Sequence, residues 1–283
     1  MQSNQSKSSI IFEVLIVFVA SIGVMWLTNS MESFKAWQNE NLGRPVISVL
    51  LSTFLVPMTA IVLVDLETRS HLRLFKPANL LTAFRSASRA MIVMIPFTVL
   101  SFPVIQFMGY SYMSWTGGLI IAGWHLAAIP LLMLLFRKKP VAEEKSLSFK
   151  DCTWIILIPV FSAVLIWAVH SISPKTAGVI TMLVFVGLAE EFKYRAYIQH
   201  RLNVAFGKPF DILGFQFGWG LILASLIFGL GHVIEPGEPL HWAWGMWTTI
   251  SGLCFGIIRE KGGGFLSSAM VHGFIMTFPV LFS

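Results

Sequence analysis

The sequence predicts an all-α protein, a polytopic membrane helical bundle of about eight or nine transmembrane helices. Hydrophobic residues make up 55% of the 283 residues and charged residues only 12%, whereas a typical soluble domain is about 25% charged. The mean hydropathy of +0.74 agrees with this class. Long apolar runs recur along the chain, and the short alternating segments typical of a membrane barrel are absent.

The apolar runs set the predicted spans, because about 20 apolar residues are needed to cross a bilayer as a helix. Residues 10–27 lack a preceding basic cluster and a following cleavage motif, so we interpret them as an anchor rather than a signal peptide. Glu13, near the start of this run, is expected in the headgroup region. An interfacial helix is predicted around Leu80–Arg89. The predicted spans are 10–27, 46–64, 91–108, 117–136, 154–170, 177–189 with helix continuing to about 199, 215–232, 244–258 and 265–282.

The basic residues fall mainly in alternate connectors between these spans. Placing the N-terminus in the cytoplasm puts most of the 20 Lys and Arg residues on the inner side, as the positive-inside rule requires. The net charge of +6 therefore indicates topology and not a nucleic-acid partner. We expect a multi-pass integral membrane protein, in the cell inner membrane if the source is bacterial or in the endoplasmic reticulum if it is eukaryotic.

Two regions are distinguished by their motifs. Residues 1–176 are predicted to form N-terminal transmembrane helices without diagnostic motifs, and residues 177–283 a core that carries them. There is no internal repeat and no separate soluble segment. Cys152 and Cys254 form neither a CxxC motif nor a metal-ligand pair.

Two adjacent carboxylates, Glu190 and Glu191, follow an apolar run in the segment 187–195, Gly-Leu-Ala-Glu-Glu-Phe-Lys-Tyr-Arg. A carboxylate inside an apolar helix costs about 2.5–3.5 kcal/mol on insertion scales, so it is usually functional. Glu191 and Arg195 are spaced to form an ion pair along one helix face. Glu190 is rotated about 100° away and is predicted to be available for chemistry. A purely structural ion pair also explains Glu191 and Arg195, but leaves Glu190 without a partner.

Two further motifs place histidines on later spans. Phe228-Gly-Leu-Gly-His232 puts Phe228 and His232 one turn apart, and its glycines allow a second helix to approach closely. His272 lies in the otherwise apolar segment 267–274 and needs a polar partner there. Each histidine alone is equally consistent with helix packing or with an interfacial position.

Together, Glu190, His232 and His272 provide the groups needed to activate a water molecule. The carboxylate can take a proton from water, while the imidazoles orient the water, bind a metal or stabilise an oxyanion. If a metal is bound, these three residues suit zinc. The HExxH motif of soluble zinc proteases is absent, as are GxSxG and GxGxxG motifs.

The three motifs resemble those of the CPBP family, the CAAX proteases and bacteriocin-processing enzymes also called Abi, which includes the Ras-converting prenyl endopeptidases. The family pattern is EExxxR, then FxxxH, then HxxxN. It corresponds here to Glu190–Arg195, Phe228–His232 and a third motif that begins at His272. The third motif has Met276 where the family usually has asparagine, and a thioether is a weak hydrogen-bond partner. The resemblance covers roughly residues 177–280.

This resemblance implies an intramembrane endopeptidase that acts on a membrane-associated or lipidated peptide. Membrane lipid and a peptide or protein substrate would be its partners. It assigns catalytic roles to four residues: Glu190, Glu191, His232 and His272. It assigns structural roles to Arg195 and Phe228. It implies a cavity among helices that opens toward the cytosol. It is compatible with a bound zinc ion but does not require one.

Two other functions remain consistent with the sequence. The first is a non-catalytic membrane scaffold or a bacteriocin-immunity protein of the same fold, which the methionine at position 276 favours. The second is a proton-coupled transporter that uses Glu190 and His272 as a relay. A transporter of this kind usually carries inverted repeats, and the sequence shows none.

Overall fold

A computed structural model describes residues 6–68, 80–138, 149–234, 239–262 and 264–282. In the described residues the chain is all-α apart from one short hairpin, which confirms the predicted fold class. The helices are α1 Lys7–Ser30, α2 Glu32–Leu42, α3 46–68, α4 Leu80–Phe107, α5 Trp115–Phe136, α6 Phe149–His170, α7 174–206, α8 Trp219–Val233, α9 Trp242–Lys261 and α10 Phe265–Phe282, and the strands are β1 Phe210–Ile212 and β2 Phe215–Phe217.

Parts of the predicted connectors lie outside the described residues. These are the basic connector at 69–76, most of the charged connector at 137–151 and the turn at 235–237. The side chain of Cys152 also lies outside them, whereas Cys254 is buried and is not in a disulfide.

Three described helices are long and apolar enough to cross a bilayer: α1, α4 and α5. The helices α2 and α3 meet at an angle of 108°, and counting this bent pair as one span raises the number to four. Shorter apolar helices occur at Leu157–His170, Trp219–Val233 and Phe265–Leu281. The predicted count of eight or nine spans therefore stays a prediction, while the membrane class is supported.

The structure changes two of the predicted boundaries. The interfacial helix predicted around Leu80–Arg89 is the first half of α4, which continues without a break to Phe107. The predicted span starting at Phe215 is wrong at its beginning, because residues 215–217 form β2 and α8 begins only at Trp219. A Phe-Gln-Phe alternation with both aromatic rings buried and Gln216 exposed is the pattern of a strand.

The hairpin turns at Leu213 and Gly214, both of which have positive φ angles of 58° and 74°. Two consecutive residues with positive φ match the type I′ turn that the twist of a two-residue hairpin favours. The hairpin pairs Phe210 with Phe217 and connects the end of α7 to the start of α8. As a result, α8 spans only 15 residues and ends one residue after His232.

Helix α7 lies at the centre of the described structure. Every residue from 191 to 203 is buried, so this stretch is covered by neighbouring helices on all sides. Its aromatic and aliphatic side chains form a core with residues of α1, α3, α8 and α10. That core includes Val14, Val17, Phe54, Phe192, Tyr197, Phe228 and Phe265.

Glycines allow α7 and α10 to approach at the level of the glutamate pair. A Cβ atom on Gly187 would lie 2.6 Å from the Gly273 Cα, which is closer than real Cβ contacts allow. A larger residue at either position would push the two helices apart. The contact brings the histidine at 272 to the same level as the glutamates on α7.

Candidate active site

The glutamate pair sits on a short α-helical turn between two π-helical stretches of α7. The π-helical stretches are Met182–Leu188 and Phe192–Gln199, and the turn between them is Ala189–Glu191. A π-helical turn is wider than an α-helical one and is frequently found at functional sites. The apolar pattern of this segment fits an ordinary α-helix and does not predict the π-helical stretches.

Glu190 faces a cavity of about 260 Å³ formed between α7, α8 and the N-terminal helices. Its Oε2 atom is buried, and among the described residues it has no hydrogen-bond partner. The cavity is lined by Ser21, Ile22, Met25, Asn29, Pro45, Val49, Ser52, Thr53, Glu190, Lys193, Tyr194, Gly231, His232, Ile234 and Trp244. Glu190 therefore presents a carboxylate to this cavity, on a different side of α7 from Glu191.

His232 lines the same cavity from the end of α8. Its Nδ1 lies 2.8 Å from the Phe228 carbonyl oxygen, so Nδ1 must carry the proton and Nε2 is the ring nitrogen that can accept one. The ring packs edge-on against Phe228 and Trp244, at centroid distances of 4.5 and 5.1 Å. Phe228 thus fixes the imidazole both through its backbone and through its ring.

Lys193 is a further ionisable group at the cavity, beside Glu190 and His232, and it is not among the site residues predicted from the sequence. Its side chain is only 3% exposed, and its Nζ lies 4.8 Å from the Tyr194 ring centroid and 5.7 Å from that of Phe18. It interacts electrostatically with Glu190, three residues earlier. That three-residue spacing, which places both side chains on one helix face, is the signal that could have identified it.

Glu191 points away from this cavity and is fully buried. The predicted ion pair is present, with Arg195 Nε 3.4 Å from Glu191 Oε2. The other oxygen, Oε1, lies 3.0 Å from His272 Nδ1, and the His272 ring stacks on Phe255 at 4.3 Å. His272 is therefore held by the second glutamate.

The structure thus differs from the predicted convergence of Glu190, His232 and His272 on one cavity. Glu190 and His232 line it together, whereas the described lining does not include His272. His272 is still close enough to interact electrostatically with both of them. The reason is the buried charge of Glu191, for which the imidazole is the nearest available donor besides arginine.

A buried polar network continues from Arg195 along α7. Arg195 Nη1 donates to Ser225 Oγ at 3.3 Å and lies 3.5 Å from Gln199 Oε1. Gln199 Nε2 donates to Glu260 Oε1 at 3.0 Å, and Lys208 Nζ lies 2.7 Å from Glu260 Oε2. These contacts join α7 to α8 and α9 between the glutamate pair and the hairpin.

Helix α1 is attached to α7 by a second carboxylate. Glu13 accepts hydrogen bonds from the Tyr197 hydroxyl at 2.5 Å and from Arg201 Nε at 2.9 Å. The side chain of Glu13 is only 11% exposed, so it is packed against α7, and its position in the headgroup region stays a prediction. This contact holds the α1 residues Ser21 and Asn29 at the cavity wall.

The arrangement does not supply a ready metal site. Within the described ranges, no group of three His, Cys, Asp or Glu side chains is placed to hold a metal ion. Moreover, the Nδ1 atoms of His232 and His272 are both engaged by protein oxygens. The residues as arranged do not fit a three-ligand zinc centre, and a bound zinc ion stays a prediction.

These features define a helical membrane protein with a carboxylate and an imidazole at a cavity between its helices. Residues 171–278 match the family model described as type II CAAX prenyl endopeptidase Rce1-like. This match supports the resemblance to the CAAX proteases that the three sequence motifs predict. The match contains all three motifs. Neither the curated proteins nor the solved structures give a significant match.

Proposed function

We propose that this protein is an intramembrane endopeptidase that hydrolyses a peptide bond in a membrane-associated or lipidated peptide. The observation that carries the proposal is the cavity in which Glu190, without a hydrogen bond on Oε2, and His232 are exposed to the same space. The family match supports a membrane endopeptidase in general. The reaction mechanism and the residue roles are inferred from the geometry.

In the proposed reaction, the Glu190 carboxylate takes a proton from a water molecule in the cavity, and the water oxygen attacks the substrate carbonyl carbon. His232 orients this water through Nε2. The resulting tetrahedral intermediate collapses as its carbon–nitrogen bond breaks, and Glu190 returns the proton to the leaving amine. The products are a carboxylic acid, which keeps the second proton of the water, and a free amine, so atoms and charge balance.

Glu191 serves this reaction indirectly. Its carboxylate is held by Arg195 and His272, so it is not available as a base. Because it lies next to Glu190 on one helical turn, its contacts fix the direction in which Glu190 points. We therefore assign positioning roles to Glu191 and Arg195, and to His272 through its bond with Glu191.

The cavity wall suggests how a peptide would be bound. Residues of α1 and α3, such as Met25, Asn29 and Thr53, lie opposite the α7 face, and Trp244 is at the α8 side. The Asn29 Oδ1 is buried, and among the described residues no group donates to it. It is therefore placed to accept a hydrogen bond from a peptide N–H. The substrate would enter near Asn29 and Pro45, at the end of α1 opposite its start at Lys7. If the N-terminus is cytosolic, as we propose, this end of the cavity lies away from the cytosol, unlike the cytosolic opening that the resemblance implies.

The test is cleavage by the full-length protein in liposomes. Peptides with a prenylated cysteine and the same peptides without the lipid would be compared for the wild type, Glu190→Gln and His232→Ala. General-base catalysis contributes about 10²–10⁴-fold, so each variant should lose activity by that order. His170→Ala, which alters a histidine outside the cavity, is the matched control and should retain activity. Cleavage by Glu190→Gln at the wild-type rate would refute the proposed mechanism.

A non-catalytic scaffold or immunity function is the second candidate, because the half-buried Met276 cannot donate a hydrogen bond at the third motif. This alternative predicts that Glu190→Gln leaves the biological activity intact. Loss of that activity in a protein that is still folded would exclude it.

A further inference from the structure

Lys193 is a buried cation that interacts electrostatically with Glu190 but forms no salt bridge with any described residue. Its side chain is 3% exposed, and within the described part of the chain its Nζ makes no hydrogen bond to a protein acceptor. Only the faces of two aromatic rings approach it closely. A lysine inside a membrane protein is costly and is usually retained for a functional reason.

Two other cations near α7 differ from Lys193, because each has a carboxylate within ion-pair distance. Arg195 lies 3.4 Å from the carboxylate of Glu191, and Lys208 lies 2.7 Å from that of Glu260. Neither of them lines the cavity. Lys193 instead lines the cavity, and its three N–H donors are available to an anionic oxygen there.

Peptide hydrolysis creates such an oxygen when water adds to the substrate carbonyl. Enzymes stabilise this oxyanion with donors that are already in place, and losing one donor typically costs about 10²–10³-fold in kcat. The third motif does not supply one here, since His272 Nδ1 is bound to Glu191 and Met276 has no donor. Among the described residues that line the cavity, Lys193 is the one that carries a positive charge.

We propose that Lys193 stabilises the oxyanion of the tetrahedral intermediate, as a further catalytic residue of this site. The proposal rests on the proposed endopeptidase function. Glu190 and Lys193 lie three residues apart on one face of α7, so the base and the cation both face the same bound carbonyl. Nζ donates a charge-assisted hydrogen bond to the carbonyl oxygen as negative charge develops, and no covalent bond to lysine forms.

Kinetics of Lys193→Met and Lys193→Arg in liposomes test this role. Methionine fills a similar volume without charge, so kcat should fall about 10²–10³-fold, while KM stays within about threefold because the neutral substrate does not use the charge. Lys193→Arg keeps the positive charge, so it should retain part of the kcat that Lys193→Met loses. Lys35→Met, which alters an exposed lysine on α2, is the control and should behave as the wild type. An unchanged kcat in folded Lys193→Met refutes the proposal.

Binding of two inhibitors separates this role from ground-state binding. A peptide phosphonate carries a negative tetrahedral centre, and an uncleavable peptide with an N-methylated scissile bond does not. Lys193→Met should lower the affinity for the phosphonate by about the same factor as kcat and leave the affinity for the neutral peptide unchanged. Equal weakening of both would overturn the proposal in favour of substrate binding.

The same experiments distinguish failure of this inference from failure of the endopeptidase function. If the wild type does not cleave, or if Glu190→Gln cleaves equally well, the function itself is wrong. If the wild type is active and Glu190→Gln is inactive while Lys193→Met is fully active, only the role of lysine is wrong. Thermal unfolding of each variant in detergent shows whether a lost activity reflects lost folding, and Lys193→Gln serves as a second neutral substitution.

Discussion

Glu190 and Glu191 are neighbours in the chain but lie in opposite environments. Glu191 is completely buried, lies within ion-pair distance of Arg195 and is bound to His272, whereas Glu190 faces a cavity. The Oε2 atoms of both glutamates have no hydrogen bond within the described structure, so the difference lies in what surrounds them. Glu190 can reach a ligand in the cavity, whereas Glu191 is held by protein groups.

The difference extends to the helices on each side of α7. The Glu191 side is closed by α8, α9 and α10, and its polar groups connect through Gln199 to Glu260. The Glu190 side is closed by α1 and α3, whose cavity-lining side chains are mainly uncharged. One side of α7 is thus a packed polar network, and the other side borders the cavity in which we propose that the substrate binds.

The largest expected effect comes from removing the cation on the Glu191 side. Arg195→Met leaves Glu191 with a single imidazole and also removes contacts to Gln199 and Ser225. Breaking a buried ion pair by removing one partner costs about 3–5 kcal/mol, so we expect a comparable drop in the free energy of unfolding measured in detergent. Arg85→Met, at an exposed position on α4, should change it little. An equal drop in both variants would contradict the supporting role.

Substitutions of the two glutamates should change the free energy of unfolding by less, and in different directions. Glu191→Gln weakens charge-assisted bonds and should lower the free energy of unfolding by about 1–3 kcal/mol. Glu190→Gln replaces a buried carboxylate that has an unbonded oxygen, so stability should be unchanged or higher although hydrolysis is lost. Parallel thermal unfolding curves of the two variants test this. A destabilised Glu190→Gln protein would remove the contrast between the two residues.

The parts of this site that the sequence predicted are those set by local spacing. The pair Glu191 and Arg195 follows from a four-residue interval, and the contact of Phe228 with His232 follows from one helical turn within Phe228–His232. The divergence of the two glutamates also followed from their rotation along one helix. These features depend on residues a few positions apart, for which helical periodicity is informative.

The parts that were missed depend on contacts between distant segments. Nothing in the spacing shows that His272 binds Glu191, 81 residues away, or that Glu13 reaches Tyr197. The sequence also does not single out Lys193 among the basic residues that indicate topology. Its burial follows from α1 packing over α7, and apolar patterns do not specify which helices pack together.

The smallest expected effect is that of restoring a polar residue at the third motif. Met276 lies one turn after His272 on α10, so Met276→Asn would place an amide donor on the helix face that carries the histidine. If Lys193 already stabilises the oxyanion, this extra donor should change kcat by less than about tenfold, below the 10²–10³-fold effect of an essential donor. Met276→Gln, with the same group on a longer side chain, is the matched variant. A rise of kcat by about a hundredfold in Met276→Asn would show that the cavity lacked an oxyanion donor. Lys193 on α7 would then not stabilise the oxyanion, and the residue at position 276 on α10 would determine this step.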